Sequence, residues 1–299
     1  MNKTLTVFTP TYNRKELLIR CYNSLKRQSI KDFEWLIIDD GSSDRTCDLV
    51  NEWINAEHDF LIRYYYKENG GLHTAYNLAI EHLQTELAVC IDSDDYMPDD
   101  AVERILDFWN KNRDEKYAGI TGLDFDSQTN RVIGGKYPDN QKSINLIDLL
   151  VGRYPDSLGD KKHVVRSDLY KQAAPMTSFP GEKNFNPHYL HLEISRNYDF
   201  LILNENICYV DYQETGMTNN ILRQYYNSPN SFAETRLQYL SFPNLPLAFK
   251  IRNCIHYVSS CRLANRSHYI RQSPYPLLTS ICFIPGVLLS RYITLKNKT

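Results

Sequence analysis

Four short apolar runs, each handing over to a polar turn and then to an amphipathic helical pattern, occupy the first 112 residues and constrain this chain more than any other feature. Residues 5–9 read as a buried strand, and residues 15–27 follow as a helix with Leu17, Leu18, Cys21, Tyr22 and Leu25 at helical spacing. A second run, 33–38, passes through Asp39-Asp40-Gly41-Ser42-Ser43 into a helix over 46–55, with Ser43 or Asp44 as its N-cap. A third unit joins the run 62–66, the turn Asn69-Gly70-Gly71 and a helix to about residue 83. The fourth strand, 87–91, ends in Asp92-Ser93-Asp94-Asp95. The helix after Met97-Pro98-Asp99 continues through 112 with Ile105, Leu106 and Trp109 on one face. Such alternation predicts an α/β fold: a mixed, mainly parallel sheet of Rossmann-like type with helices on both faces.

All four strands finish in polar residues, and ligands of open parallel sheets bind outside the carboxyl ends of the strands. Thr9-Pro10-Thr11-Tyr12-Asn13, Asp39-Asp40, Asn69-Gly70-Gly71-Leu72-His73 and Asp92-Ser93-Asp94-Asp95 should therefore meet at one rim. The last is chemically the loudest: three carboxylates within four residues repel one another, and a divalent cation resolves the repulsion. Mg²⁺ takes oxygen ligands and commonly combines one or two carboxylates with substrate phosphates, so a nucleotide diphosphate would complete the shell. Chance alone supplies roughly one or two Asp-x-Asp matches in a chain of this length. Asp124-Phe125-Asp126 is such a match, and it reads as a solvated turn.

The 34 basic and 36 acidic residues of the 299 nearly cancel, so no global field draws this chain onto nucleic acid. Seven scattered cysteines form neither a zinc pattern nor a disulfide framework and are expected to be reduced thiols, most of them in the core. No apolar signal region precedes residue 5, so a cytoplasmic location is expected. Further along, residues 162–166, 200–203 and 207–212 read as strands, 189–197 as a helix and 156–160 as a polar loop. From about Gly216, aromatic residues are scattered through helical segments rich in Arg and Lys. The expected division is an α/β domain over 1–215, in two halves (1–112 and 113–215), and a helical region over 216–299.

Four blocks in order resemble the inverting glycosyltransferases of family 2, which have the GT-A fold. These are Val7-Phe8-Thr9-Pro10-Thr11-Tyr12-Asn13-Arg14; Gln28-Ser29 with Phe33 to Asp44; Glu68-Asn69-Gly70-Gly71 with Ala75-Tyr76-Asn77; and Ile91-Asp92-Ser93-Asp94-Asp95-Tyr96 with Pro98-Asp99. The likeness is strongest over roughly the first 110 residues and carries little beyond about 215. It implies that Tyr12 lies against the nucleotide base, the alternative being a core tyrosine, while Thr9 and Pro10 shape the backbone beside it. It implies that Asp40 accepts from a uracil imide while Asp39 holds the loop, although sequence does not separate the two. Gly70 and Gly71 would let the loop approach the phosphates. His73 would donate to the diphosphate, or else is a surface residue. Asp92 is implied to hold the ribose and help with Mg²⁺ or Mn²⁺, and Asp94 to be the direct metal ligand.

The family's catalytic base is an acid some 80 to 100 residues after the metal motif. Here Phe179 to Tyr189 departs from that pattern: Glu182 has the chemistry, whereas His188 occupies the place just before a helix. Histidine, with an ordinary pKa of about 6.5, is a competent base at neutral pH. The bland readings are an ion pair for Glu182 and a helix N-terminal residue for His188. The implied activity is transfer of a sugar from a nucleotide diphosphate donor, UDP-linked for preference, to a glycan or lipid-linked glycan in capsule or exopolysaccharide synthesis. A sugar-phosphate nucleotidyltransferase, which releases pyrophosphate, and a noncatalytic glycan-binding or scaffold protein are the alternatives.

The stretch between Arg271 and Arg291 carries no charge and nears the roughly 20 residues of a membrane span. Gln272, Ser273, Pro274, Pro276, Thr279, Ser280, Pro285, Gly286 and Ser290 argue against spanning. An interfacial helix or hairpin is expected instead, with Leu277, Leu278, Ile281, Phe283, Ile284, Val287, Leu288 and Leu289 toward lipid and Arg291, Lys296 and Lys298 near anionic headgroups. The alternative is packing on the catalytic domain or in a homodimer.

Overall fold

In a computed structural model, the chain is described over residues 3–56, 59–212 and 221–298. The four expected strand–helix units are present. They are β1 (Leu5–Thr11) with α1 (Lys15–Lys26), β2 (Phe33–Asp39) with α2 (Thr46–Asn55), β3 (Leu61–Tyr66) with α3 (Leu72–Glu81), and β4 (Leu87–Cys90) with α4 (Ala101–Asn112). The cap of α2 is Arg45 in the left-handed region rather than Ser43 or Asp44. Asp44 nevertheless serves both α2 and α1, since its carboxylate accepts from the backbone of Thr46 at 3.1 Å and of Lys15 at 2.9 Å.

The later elements are β5 (Tyr117–Asp126), β6 (Ser143–Ile144), α5 (Leu146–Leu150), β7 (Lys161–Arg166), α6 (Ser167–Ala173), α7 (His188–Ile194) and β8 (Asp199–Val210). One eight-stranded sheet results, in the order β3-β2-β1-β4-β7-β5-β8-β6. β1 to β4 run parallel, β5 and β8 run parallel to each other, and β7 is antiparallel to both its neighbours. The expected pair of strands over 200–212 is one twelve-residue strand, whose register against β5 shifts where the chain bulges.

The two faces of β1 show why helices cover both sides. Leu5 and Val7 join Leu18, Leu25, Trp35 and Trp53 in one core, where Tyr22 stacks on Trp53 with ring centroids 4.1 Å apart. Phe8 points the other way, edge-on to Tyr76 of α3 at 5.1 Å and to Tyr170 of α6 at 6.3 Å. Each such fully buried side chain stabilises the fold by about 1.5–3 kcal/mol relative to exposure. The cysteines are free thiols; Cys47 is exposed and the other six are buried.

The chain divides into two compact units, and the division differs from the sequence expectation. The first contains residues 1–175 and 190–212; the second contains 176–189 and 213–299. The boundary expected at 215 and 216 lies outside the described residues. The second unit is helical, comprising α8 (Ile221–Asn227), α9 (Pro229–Ser241), α10 (Leu247–Leu263), α11 (Tyr269–Gln272), α12 (Pro276–Ile281) and α13 (Phe283–Lys298). Ala233, Leu240, Cys254, Tyr257, Val258 and Cys261 form its core.

Candidate active site

Because β1, β2, β3 and β4 are parallel neighbours, the turns that follow them share the carboxyl edge of the sheet. After β1, Tyr12 is 48% exposed and so is not a core tyrosine; it offers a flat ring at this edge. Asn13 takes a positive φ of 50° and clasps the turn after β2, its Oδ1 accepting from the backbone of Ser43 at 2.7 Å and its own N–H donating to Ser42 Oγ at 2.9 Å. Thr9 is buried, its hydroxyl accepting from Trp35 Nε1 at 2.9 Å, so it shapes the edge through its backbone. Pro10 lies beside it on the strand, also buried.

Asp39 and Asp40 are both committed inside the protein. Asp39 accepts from the backbone of Ser42 and from the Tyr64 hydroxyl, each at 2.7 Å. Asp40 accepts from Lys67 Nζ at 2.6 Å, from Gly70 N–H at 2.9 Å and from Gly71 N–H at 2.8 Å. Those three donors fill most of the roughly four acceptor positions of a carboxylate. Beside these bonds to the loop 67–71, about one acceptor position is left for the implied contact of Asp40 with a uracil imide. The amides of Gly70 and Gly71, in the loop expected to approach the phosphates, donate to Asp40. Gly71 has φ +95°, the left-handed side that favours glycine, and a Cβ on Gly70 would lie 2.7 Å from the Thr74 side-chain oxygen. His73, in the first turn of α3, is fully buried rather than on the surface.

The turn after β4 is differently disposed. Asp95 N–H donates to the Asp92 carbonyl at 2.9 Å, which folds the four residues into a tight turn. Arg14 pairs with Asp94 Oδ2 at 2.5 Å, and Arg20 donates to the Asp94 carbonyl while pairing with Asp211 at 2.7 Å. Burial raises the Asp94 pKa above the ordinary carboxylate range, and Arg14 opposes that rise. Asp92 is half-buried, and among the described residues it has no ion-pair partner; Cys90 Sγ lies 3.7 Å from its Oδ1.

Beneath this turn Asp95 faces Lys162 of β7 at 3.3 Å, and Asp124 stands 4.0 Å from the same ammonium. Burial pushes Asp95 up to about 7 and Asp124 up to about 6, with Lys162 opposing both. Burial pulls Lys162 down, but the surrounding acids, Asp124 foremost, outweigh it and hold it protonated. The second Asp-x-Asp match is thus only half a solvated turn: Asp126 accepts from Gln128 and Thr129, whereas Asp124 is buried.

An all-oxygen donor set with one unpaired and one singly paired carboxylate suits a hard divalent cation, so Asp92 and Asp94 fit Mg²⁺ or Mn²⁺. Arg14, Arg20, Lys162 and Asp211 were not singled out from sequence. Lys162 left no distinct signal, since its strand also carries Lys161, His163 and Arg166.

In the helical unit, Glu182 is buried. Its Oε1 accepts from Asn230 N–H and Nδ2 at 2.8 Å, and its Oε2 from Ser231 N–H and Oγ at 2.7 Å. Asn230 and Ser231 begin α9, so the carboxylate caps that helix and complements its dipole with all four acceptor positions taken. It is not the ion pair expected. His188 opens α7, and its N–H donates to Asn186 Oδ1 at 2.9 Å.

Residues 6–153, about half of the chain, match the family described as Glycosyl transferase family 2, and the chain belongs to that family. More particularly, it is 31% identical over 131 residues to a chondroitin synthase of Escherichia coli and 35% identical over 111 residues to a teichoic acid poly(glycerol phosphate) polymerase of Staphylococcus epidermidis. The first match takes in 44% of this chain and 19% of the relative; the second takes in 37% and 15%. The chain thus spans well under a third of the length of either.

Among solved structures, S. aureus TarS residues 1–349 in complex with UDP-GlcNAc aligns with a TM-score of 0.57 at 17% identity, covering 99% of this chain and 91% of that one. The mannosyltransferase PcManGT of Pyrobaculum calidifontis, in complex with GDP-Man and Mn²⁺, aligns with a TM-score of 0.58 at 16% identity, covering 98% and 88%. These likenesses establish a GT-A fold.

Proposed function

We propose that the chain is an inverting, Mg²⁺- or Mn²⁺-dependent glycosyltransferase that moves a sugar from a UDP-linked donor to a glycan or lipid-linked glycan of a bacterial surface polysaccharide. The observation that carries this reading is the Asp92–Asp94 turn at the carboxyl edge of the sheet, where Asp94 pairs with Arg14 and Asp92 has no ion-pair partner among the described residues. The UDP-GlcNAc bound to TarS supports the donor class, and the polysaccharide for which the chondroitin synthase is named supports the acceptor class.

Tyr12 supplies a face for the nucleotide base, and Thr9 and Pro10 set its backbone. Asp40 braces the loop 67–71 through Gly70 and Gly71, with His73 beneath it, and Asp92 reaches the ribose. A divalent ion on Asp92 and Asp94 would supply positive charge to the departing diphosphate. His188 is the better base, because Glu182 has no open acceptor position. The base takes the acceptor hydroxyl proton as that oxygen bonds to the anomeric carbon and the carbon–oxygen bond to UDP breaks, which inverts the centre. The reading places the enzyme in the cytoplasm, peripheral to the membrane.

Release of UDP or another nucleoside diphosphate is to be measured across a panel of nucleotide sugars, with and without Mn²⁺, for the natural chain, His188→Ala and Glu182→Gln. Metal-dependent release that collapses in His188→Ala but survives in correctly folded Glu182→Gln is the expected result. Release of pyrophosphate, or no release from any donor, would sink the transferase reading.

A further inference from the structure

Charge is segregated along this chain in a way its net value of -2 conceals. From residue 235 onward there are nine Lys and Arg and no Asp or Glu, so all 36 acidic residues lie in the first 234. The acid-free segment contains α10 to α13. On α12 and α13, Cys282, Gly286, Ser290 and Ile293 form the inner stripe: Cys282 and Ile293 are buried, and Gly286 lies so close to α10 that a Cβ would stand 2.5 Å from Val258 Cβ. The opposite stripe is apolar and exposed. Leu277, Ile281, Ile284, Leu288 and Leu295 are 84, 75, 69, 59 and 67% exposed, at steps of three, four or seven residues that keep them on one face.

We propose that this face of α12 and α13 docks on an anionic lipid surface, its apolar stripe entering the headgroup boundary. The inference deepens the membrane-peripheral reading above and rests on it. Arg291, seven positions beyond Ile284, lies on the same stripe, with Arg271 and Lys296 exposed near its ends. The charge decides the occupant. Two copies joined through this face would bring two acid-free cationic segments together, whereas an anionic bilayer complements both the charge and the apolar stripe. No helix among the described residues is long and apolar enough to cross a membrane, so the face lies on the surface rather than through it. Of the residues expected from sequence to meet lipid, Leu278 and Val287 pack on the helical core instead, and the Lys298 side chain lies outside the described residues.

The test is flotation of the full chain with vesicles of phosphatidylcholine alone or mixed with phosphatidylglycerol, at low and high salt. Binding to the anionic vesicles only, weakened by salt and lowered roughly tenfold in the double variant Ile281→Glu/Ile284→Glu, is expected. Both side chains are exposed, so the variant should keep the natural melting temperature. Equal binding to neutral vesicles, no binding, or a variant that floats like the natural chain would overturn the proposal. So would a concentration-dependent dimer that the same variant dissolves. Nucleoside diphosphate release, measured in parallel without vesicles, reports separately on the transferase reading: docking without release leaves this inference standing, and release without docking removes it alone.

Discussion

At the end of β2, Asp39 and Asp40 accept from Ser42, Tyr64, Lys67, Gly70 and Gly71. At the end of β4, on the other side of β1, Asp92 has no ion-pair partner among the described residues and the Asp94 carboxylate pairs with Arg14. The residue type, the sheet edge and the strand direction are the same. What differs is the set of donors: Asp40 accepts from the amides of Gly70 and Gly71 as well as from Lys67, whereas the Asp94 carboxylate pairs with the side chain of Arg14. A carboxylate satisfied by amides is part of the loop it holds, whereas one satisfied by an arginine can exchange that partner for another cation.

Four substitutions would break or sharpen that contrast. The largest effect is expected for Asp94→Asn, which should lower nucleoside diphosphate release about 10²–10³-fold while moving the melting temperature by no more than about 2 °C. A collapsed melting temperature would show that Asp94 is structural like Asp40. Asp40→Asn should do the reverse. Losing charge-assisted bonds to two amides and Lys67 is expected to cost about 2–4 kcal/mol of unfolding free energy, read from denaturant curves, and an unchanged midpoint would erase the distinction.

Arg14→Ala, smaller again, should tighten Mn²⁺ binding about tenfold by titration calorimetry, because the ion no longer competes with a guanidinium for Asp94. Weaker binding would mean that Arg14 orients the ligand rather than rivals it. The smallest effect concerns Asp124. Its pKa is raised to about 6, so its contribution to stability is full below the ordinary value near 3.8 and is lost as pH rises through 6. Asp124→Asn should therefore flatten the fall in melting temperature between pH 4 and 7, by about 2–4 °C. An equal slope in both proteins would remove Asp124 as its source.

The four strand–helix units were legible because apolar spacing is local, and the Asp92–Asp94 turn because its chemistry fits inside four residues. β5 escaped notice because Gly119, Thr121, Gly122 and Asp124 interrupt its apolar run. Gly122 is needed where a Cβ would come 2.4 Å from Ile207 Cδ1, on β8. Asp40 could not be told from Asp39 because its deciding partners lie about thirty positions downstream. The same holds for Glu182, a plausible base by composition until Asn230 and Ser231, 48 and 49 positions away, fill its oxygens.

That capping contact also bears on how the gene can be cut. The chain enters the helical unit at residue 176, leaves it at 190 to build β8, and returns at 213. Ending the chain at 212 would not yield a catalytic domain with a clean edge. It would leave 176–189 without the helices it folds against, and Glu182 as a charged group whose four donors had been deleted. A trimmed version that keeps the helical unit must therefore keep both of its pieces, 176–189 and 213–299, together.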